Sequence, residues 1–509
     1  MNTDVAVDRS APVRDRWPFR FLVTAVLFDR IAYHGVLALL IFYFTDAKGM
    51  STADSAVVFG AFGALVYAAT PFGAAVADQL LGLRAATLGG AWLLLLGVVL
   101  IAIDATALAP WPGSPALYSG MACMVVGLGA LSPAVANLVG ALTGGTDTER
   151  ESAYSQFWVV MNVGVLIGPL LCGWLGQAIG WSVGFGACVV AMAVSVVLFQ
   201  LSARSAPLVG LPPTLASHSA SLRGVLRRRL ILIPASACGV VLAWWLLRQT
   251  ALVGNVLTVV FVGAIGTYLY FAFWRCNAME RARALTCLAI AIFSFVFLVL
   301  LNQYGTTLAF FAAKHVQLIF LGLQFEPSQV VSFQPAFLVL LSPAILAGAA
   351  ALARRGREVT ALHKMALGLT CLAVAFGWLA FGARYGEAIG GLHMSWMISF
   401  YALMAISELL VAPIGLSFTA KLAVPRIAGF TVAIWMLSWS AASYVAALGG
   451  GWVSSGPSLA TIDQSLLRYA LYFALLAGGG LAAAGLLYAL SPALQRRVHA
   501  ALARSEPAV

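Results

Sequence analysis

Apolar runs of 20 or more residues recur along this 509-residue chain, divided by short charged or Gly/Pro-bearing stretches. Wound as helix, a run of about 20 residues spans the hydrocarbon of a bilayer. About fourteen such runs are expected, near 21–45, 55–79, 85–104, 116–142, 153–177, 181–202, 229–250, 252–274, 284–312, 330–352, 362–383, 391–420, 427–452 and 466–490. Strands of a membrane barrel would be shorter and would alternate apolar and polar residues. Charged residues make up only 9% of the chain, against about 25% in soluble domains. Hydrophobic residues make up 62%. A soluble enzyme, a disordered chain and a nucleic-acid binder are excluded, despite a net charge of +11. The fold class is an all-α polytopic membrane protein.

The first 20 residues are polar, and the apolar run Phe21 to Phe44 is long enough to remain as a span rather than serve as a signal peptide. The seven cysteines lie in or beside apolar segments without a close CxxC pair. They read as small apolar filler, and no metal site or cofactor is expected. Arg9, Arg14, Arg16 and Arg20 precede the first span, whereas the first loop on the opposite side carries only Lys48. By counting spans, Arg204, Arg223, Arg227, Arg228, Arg229, Arg281, Arg283, Arg354, Arg355, Arg357, Lys364, Lys421, Arg426, Arg496 and Arg497 share the side of the N-terminus. The positive-inside rule then places both termini in the cytoplasm and the chain in the inner membrane. The positive charge is mostly this topology signal, with some attraction to anionic lipid.

Ionisable residues inside a span are expensive and usually functional. Few are present: Asp29 and Arg30 in the first span, Asp78 at the end of the second, and Glu408 in the run 391–420. Val26, Arg30, Tyr33 and Leu37 fall at helical spacing and share a face. That face offers a guanidinium and a phenol to a cavity, or Asp29 and Arg30 pair locally and only lock the helix in place. The stretch Gly73 to Arg84, with Asp78, Gly82 and Arg84, resembles the loop between the second and third helices of the major facilitator superfamily, whose role is gating and structure.

Phe157-Trp158-Val159-Val160-Met161-Asn162-Val163-Gly164 resembles a signature of the proton-dependent oligopeptide transporter family. Ser407-Glu408-Leu409-Leu410 with Pro413-Ile414-Gly415-Leu416-Ser417 resembles another. Arg30, Tyr33 and Gly35 match the family's first-helix motif, and Tyr67 matches a cavity tyrosine. Gly127, Gly129, Pro133, Gln303, Gly305 and Trp435 also fit, in order along the chain.

The resemblance implies two six-helix bundles, a central cavity and alternating access. It implies an N-terminal segment 1–20, a bundle over 21–202, a linker 203–228, two additional helices over 229–274, a second bundle over 284–490 and a tail 491–509, in a monomer. Carried over by residue, Arg30 holds a substrate carboxylate, and Asn162, Glu408 and Gln334 hold an amino group. Tyr33, Tyr67 and Trp435 line side-chain pockets. The chemistry is reasonable: a dipolar peptide needs one cationic and one anionic pole where water competes little.

Several family charges are missing. Val26 stands for the first glutamate of the first helix, and Asp29 for the second. Ser132 stands for a lysine of the fourth helix. Leu37 and Asn302 stand for an arginine and an acid of the extracellular gate. Gln334 stands for an asparagine, and His34 for the second tyrosine of the first-helix motif. The losses are paired in charge. One partner left alone would strand a buried charge at about 3–5 kcal/mol; losing both leaves a neutral contact. The fold therefore survives while proton coupling weakens, with Asp29, His34 and Glu408 as remaining proton-carrying candidates. Without a cation at position 132, substrates with a modified or absent C-terminal carboxylate are less disfavoured.

The expected function is secondary transport of di- and tripeptides or peptide-like compounds. The rivals are a facilitator or exporter of a non-peptide metabolite or peptidic natural product, and a membrane sensor that binds without turnover. The sequence shows no nucleophile–base constellation, zinc motif or phosphate-binding loop, so an enzyme is not expected.

Overall fold

A computed structural model describes residues 17–106, 114–143, 146–211, 222–356, 359–387, 391–422, 424, 428–455 and 462–503. Arg9, Arg14, Arg16, Arg357 and Arg426 lie outside the described residues, as do parts of the 1–20, 203–228 and 491–509 segments. Pro413 to Ser417 are described as helical backbone only.

Each of the fourteen expected spans is helical, thirteen of them through one α-helix. The first eight are α1 (Trp17–Phe42), α2 (Thr52–Val76), α3 (Leu83–Asp104), α4 (Pro115–Leu142), α5 (Asp147–Gly168), α6 (Trp181–Ser205), α7 (Leu222–Arg248) and α8 (Thr250–Trp274). The ninth span is broken into α9 (Ala278–Leu301) and α10 (Thr307–His315). Then follow α11 (Phe333–Arg354), α12 (Ala361–Glu387), α13 (Ser395–Leu422), α14 (Ala428–Ser454) and α15 (Ile462–Ala503). Among the described residues, eleven helical stretches are long and apolar enough to cross a membrane, and Pro234–Arg248 and Ser395–Val411 are shorter apolar helices.

The break in the ninth span differs from the continuous run expected over 284–312. Asn302 Nδ2 donates to the Leu298 carbonyl at 2.8 Å, and Gln303 Nε2 to the Val299 carbonyl at 3.2 Å. These amides compete with the backbone for helical acceptors. Asn302–Gly305 form a 3-10 turn, and the chain restarts as α10. A short hairpin, Ile319–Phe320 paired with Leu323–Gln324, follows α10.

By contacts, the chain forms two compact units. The first comprises 1–36, 69–168 and 180–245; the second comprises 37–68, 169–179 and 246–509. In the first, α6 is tied to α1 by Ser195 Oγ donating to the Ala25 carbonyl at 2.8 Å and Ser202 Oγ to the Pro18 carbonyl at 2.7 Å. The signature glycines of α4 have a steric cause. A Cβ at Gly73 would lie 2.0 Å from the Gly129 carbonyl oxygen, so α2 and α4 meet backbone to backbone. Such small-residue seams hold helices together in lipid, where apolar burial adds no driving force.

The second unit packs α9, α12, α13 and α15 around Phe376, Phe400 and Phe473, each fully buried. The additional helix α8 is fastened here. Tyr444 Oη donates to the Thr250 carbonyl at 2.9 Å, and Tyr268 Oη to the Ala284 carbonyl at 3.1 Å.

Candidate functional site

In the first unit the site residues lie on α1 and α5. Asp29 is 1% exposed and Arg30 16%; Arg30 Nε sits 3.2 Å from Asp29 Oδ2. Adjacent helical residues do not face each other, and the contact is an ion pair without hydrogen-bond alignment: Asp29 Oδ1 and Arg30 Nε have no hydrogen-bond partner. Local pairing of Asp29 and Arg30, left open by the sequence, is therefore present. Tyr33 and His34 stand edge to face with ring centroids 5.2 Å apart.

α5 reaches this face of α1 through Gly164. A Cβ there would lie 2.6 Å from the Leu27 carbonyl oxygen and 2.7 Å from Arg30 Cβ. The Asn-x-Gly signature thus has a packing half and a polar half. Gly164 admits α1, and Asn162, one half-turn earlier, is buried with its Nδ2 donating to the Trp158 carbonyl at 2.9 Å. That bond uses one of its two amide hydrogens and leaves its carbonyl oxygen as an acceptor.

The altered family positions are compatible with a neutral interior. Val26 is buried, and Ser132 and Leu37 are half-buried. Asn302, also half-buried, spends one of its amide hydrogens on the helix break.

Asp78 and Arg84 sit on either side of Gly82. Asp78 is exposed on the π-helical turn Ala77–Leu81, and Gly82 follows with φ +78°. Arg84 Nη1 donates to the Pro207 carbonyl at 2.9 Å, and its amide N–H to the Gly210 carbonyl at 3.0 Å. Its bonds go to the segment after α6.

In the second unit, Glu408 on α13 is half-buried and accepts a hydrogen bond from Gln334 Nε2 on α11. Ser407, beside it, donates to the Gly368 carbonyl at 2.9 Å and fixes α13 against α12. Tyr304, in the ninth-span break, lies within electrostatic reach of Glu408, Tyr67 and Tyr401. Tyr67 on α2 lies tilted against Trp439 of α14 at 5.2 Å between centroids, and Trp435 meets Trp439 at 6.1 Å. The structure thus brings Tyr67, Trp435, Gln334 and Glu408 into one unit and adds Tyr304 and Trp439, which sequence reasoning missed. The Trp-x-x-x-Trp spacing from 435 to 439, one helical turn, was the available signal. Trp439 Nε1 is buried without a hydrogen-bond partner. Among the described residues, no group of three or more His, Cys, Asp or Glu side chains is placed to hold a metal ion.

A sequence profile described as POT family matches residues 85–461. The chain belongs to the POT family. Similar members include dipeptide and tripeptide permease A of Klebsiella pneumoniae (strain 342), 29% identical over 431 residues that cover 84% of this chain and 82% of the relative. The Escherichia coli (strain K12) permease of the same name is 28% identical over 438 residues, covering 86% and 83%. Among solved structures, a peptide transporter POT in complex with sulfate is similar with a TM-score of 0.77 and 25% identity, covering 94% of this chain and 95% of that one. A mutant peptide transporter POT in complex with alafosfalin gives 0.78 and 26%, with the same coverage. The chain therefore has the major facilitator fold, two six-helix bundles with two further helices between them, and is a multi-span membrane protein.

Proposed function

We propose that this POT-family chain is a secondary active transporter of di- and tripeptides or peptide-like compounds, working by alternating access. The observation that carries the reading is Glu408, a carboxylate in an apolar helix whose hydrogen bond comes from the neutral Gln334. An acid inside a span is costly unless it meets a cation, and a peptide ammonium is such a cation. The names of the permeases similar over most of this chain support the same substrate class.

In this reading Arg30 takes the peptide carboxylate. Asn162, Gln334 and Glu408 take the ammonium, and Tyr33, Tyr67 and Trp435 contact side chains. Asp78 and Arg84 shape the loop after α2. The uncharged Val26, Ser132, Leu37 and Asn302 weaken proton coupling, leaving Asp29, His34 and Glu408 as proton-carrying candidates. The bundles run over 21–202 and 284–490 with the pair 229–274 between them, in a monomer with cytoplasmic termini in the inner membrane. The basic residues on one side of the span count support that orientation. The chemistry is transport without covalent catalysis and needs no cofactor.

The test is uptake of labelled di- and tripeptides into proteoliposomes, with and without an inward proton gradient, beside counterflow. Counterflow with weak gradient-driven accumulation is expected. Strong accumulation would overturn the weakened coupling; absence of both signals in folded protein would overturn peptide transport.

A further inference from the structure

Regular helix in α5 ends at Gly168, and Pro169–Gly173 and Leu175–Ile179 continue as π-helical turns. Pro169 lacks an amide hydrogen and interrupts the helical bonding. The resulting arm lies in the second unit, together with the 3-10 turn Pro327–Ser332 that leads into α11. Two glutamines cross between these segments in opposite directions. Gln177 Oε1 accepts from the Ser328 backbone N–H at 3.0 Å, and Gln329 Nε2 donates to the Leu170 carbonyl at 3.0 Å.

The clasp is preset. Gln329 Oε1 accepts from the Glu326 backbone N–H at 2.8 Å, which aims its amide group at Leu170. Ser328 is 2% exposed and Gln329 9%. A Cβ at Gly173 would lie 2.7 Å from Ser328 Oγ, so the two segments touch closely. Neither 169–179 nor 327–332 contains a charged side chain. Neutral hydrogen bonds are individually weak in net terms, so such a contact can hold and still release. The boundary of the compact units runs through α1 after Val36, α2 after Ala68 and α5 after Gly168. Gly35, Pro71 and Pro169 lie at or near these points, and glycine and proline are where helices bend.

We propose that Gln177 and Gln329 form a neutral latch that closes the transporter on the side opposite its termini, and that this latch opens once in each transport cycle. The proposal rests on the alternating-access reading above. Its test uses the full chain with Gln177→Cys and Ser328→Cys, and with the exposed Cys238 changed to Ser. Cross-linking the pair with oxidant or a short bis-thiol reagent is expected to lower dipeptide counterflow at least tenfold. A reductant should restore it, and a chain carrying only one of the two introduced cysteines should not respond. Undiminished counterflow from fully cross-linked protein overturns the latch.

If the reduced chain carries no di- or tripeptide, the transport reading has failed, and the latch is read separately. Nitroxide labels on the exposed positions Ile179→Cys and Leu323→Cys, which keep both glutamines, in liposomes with and without alanylalanine, should give a short and a long distance population. Gln329→Ala should enrich the long one at least twofold. One short population under every condition overturns the latch.

Discussion

Tyr67 and Trp439 lie with ring planes 35° apart, joining α2 to α14 within the second unit. Ser440 Oγ, next in the chain, donates to the Ala64 carbonyl at 2.7 Å and fixes their register. Such a ring pair contributes about 0.5–1.5 kcal/mol beyond its buried area. Trp439 also occupies volume beside Tyr67 and Trp435, two of the residues proposed to contact substrate side chains. Trp439→Ala should therefore strengthen competition by dipeptides with bulky side chains about 3-fold, under 1 kcal/mol, while leaving alanylalanine unchanged. Competition against a labelled dipeptide in proteoliposomes checks it.

The pairing of Arg30 with Asp29 and its proposed hold on a substrate carboxylate are separated by a pair of variants. Arg30→Ala removes the proposed carboxylate contact and leaves Asp29 buried without its cation, a loss of about 3–5 kcal/mol. Thermal unfolding in detergent should fall accordingly. Asp29→Ala combined with Arg30→Ala should recover most of the stability and none of the peptide binding.

Glu408→Gln removes the charge while keeping the shape, and should weaken dipeptide competition at least about 10-fold, or 1.4 kcal/mol. Its unfolding temperature should stay near that of the parent chain. Gln334→Ala should weaken binding less, because it removes the hydrogen-bond donor and leaves the carboxylate.

Val26 and Ser132 predict an asymmetric repair. Val26→Glu alone places an acid where the parent side chain is 1% exposed and should destabilise the protein by several kcal/mol. Val26→Glu with Ser132→Lys should recover part of that loss. Gradient-driven accumulation should rise relative to counterflow only in the double variant.

The missing cation at position 132 also bears on substrates. Alanylalanine amide, which lacks the terminal carboxylate, should compete within about 10-fold of alanylalanine, a difference near 1.4 kcal/mol. In the Ser132→Lys variant that gap should widen. Inhibition curves for the two compounds in both chains test this.

The spans were readable because each is a long apolar run, and lipid permits only helix or closed barrel there. What periodicity does not encode is where a helix stops being regular. Asn302 and Gln303 look like any polar pair in the sequence, yet their amides cap carbonyls one turn back and break the ninth span. Pro169 did not signal that α5 would continue as π-helical turns through Ile179. α15 extends to Ala503, past the apolar run ending near 490, because helical bonding continues after lipid contact stops being required. Arg30 and Glu408 stood out as ionisable residues in apolar runs, and Asn162 through the family signature around it. Trp439 did not, since a tryptophan in a span is equally at home in lipid. Its pairing with Tyr67 is a contact across 372 positions, which local spacing does not reveal.

The seam between Gly73 and Gly129 has a mechanical consequence. Where a carbonyl presses on a bare Cα, there is no side chain to change rotamer and let one helix roll over the other. Twisting α2 against α4 at that point would drive backbone into backbone. The two segments should therefore move together at that point, so that any bending falls further along each helix.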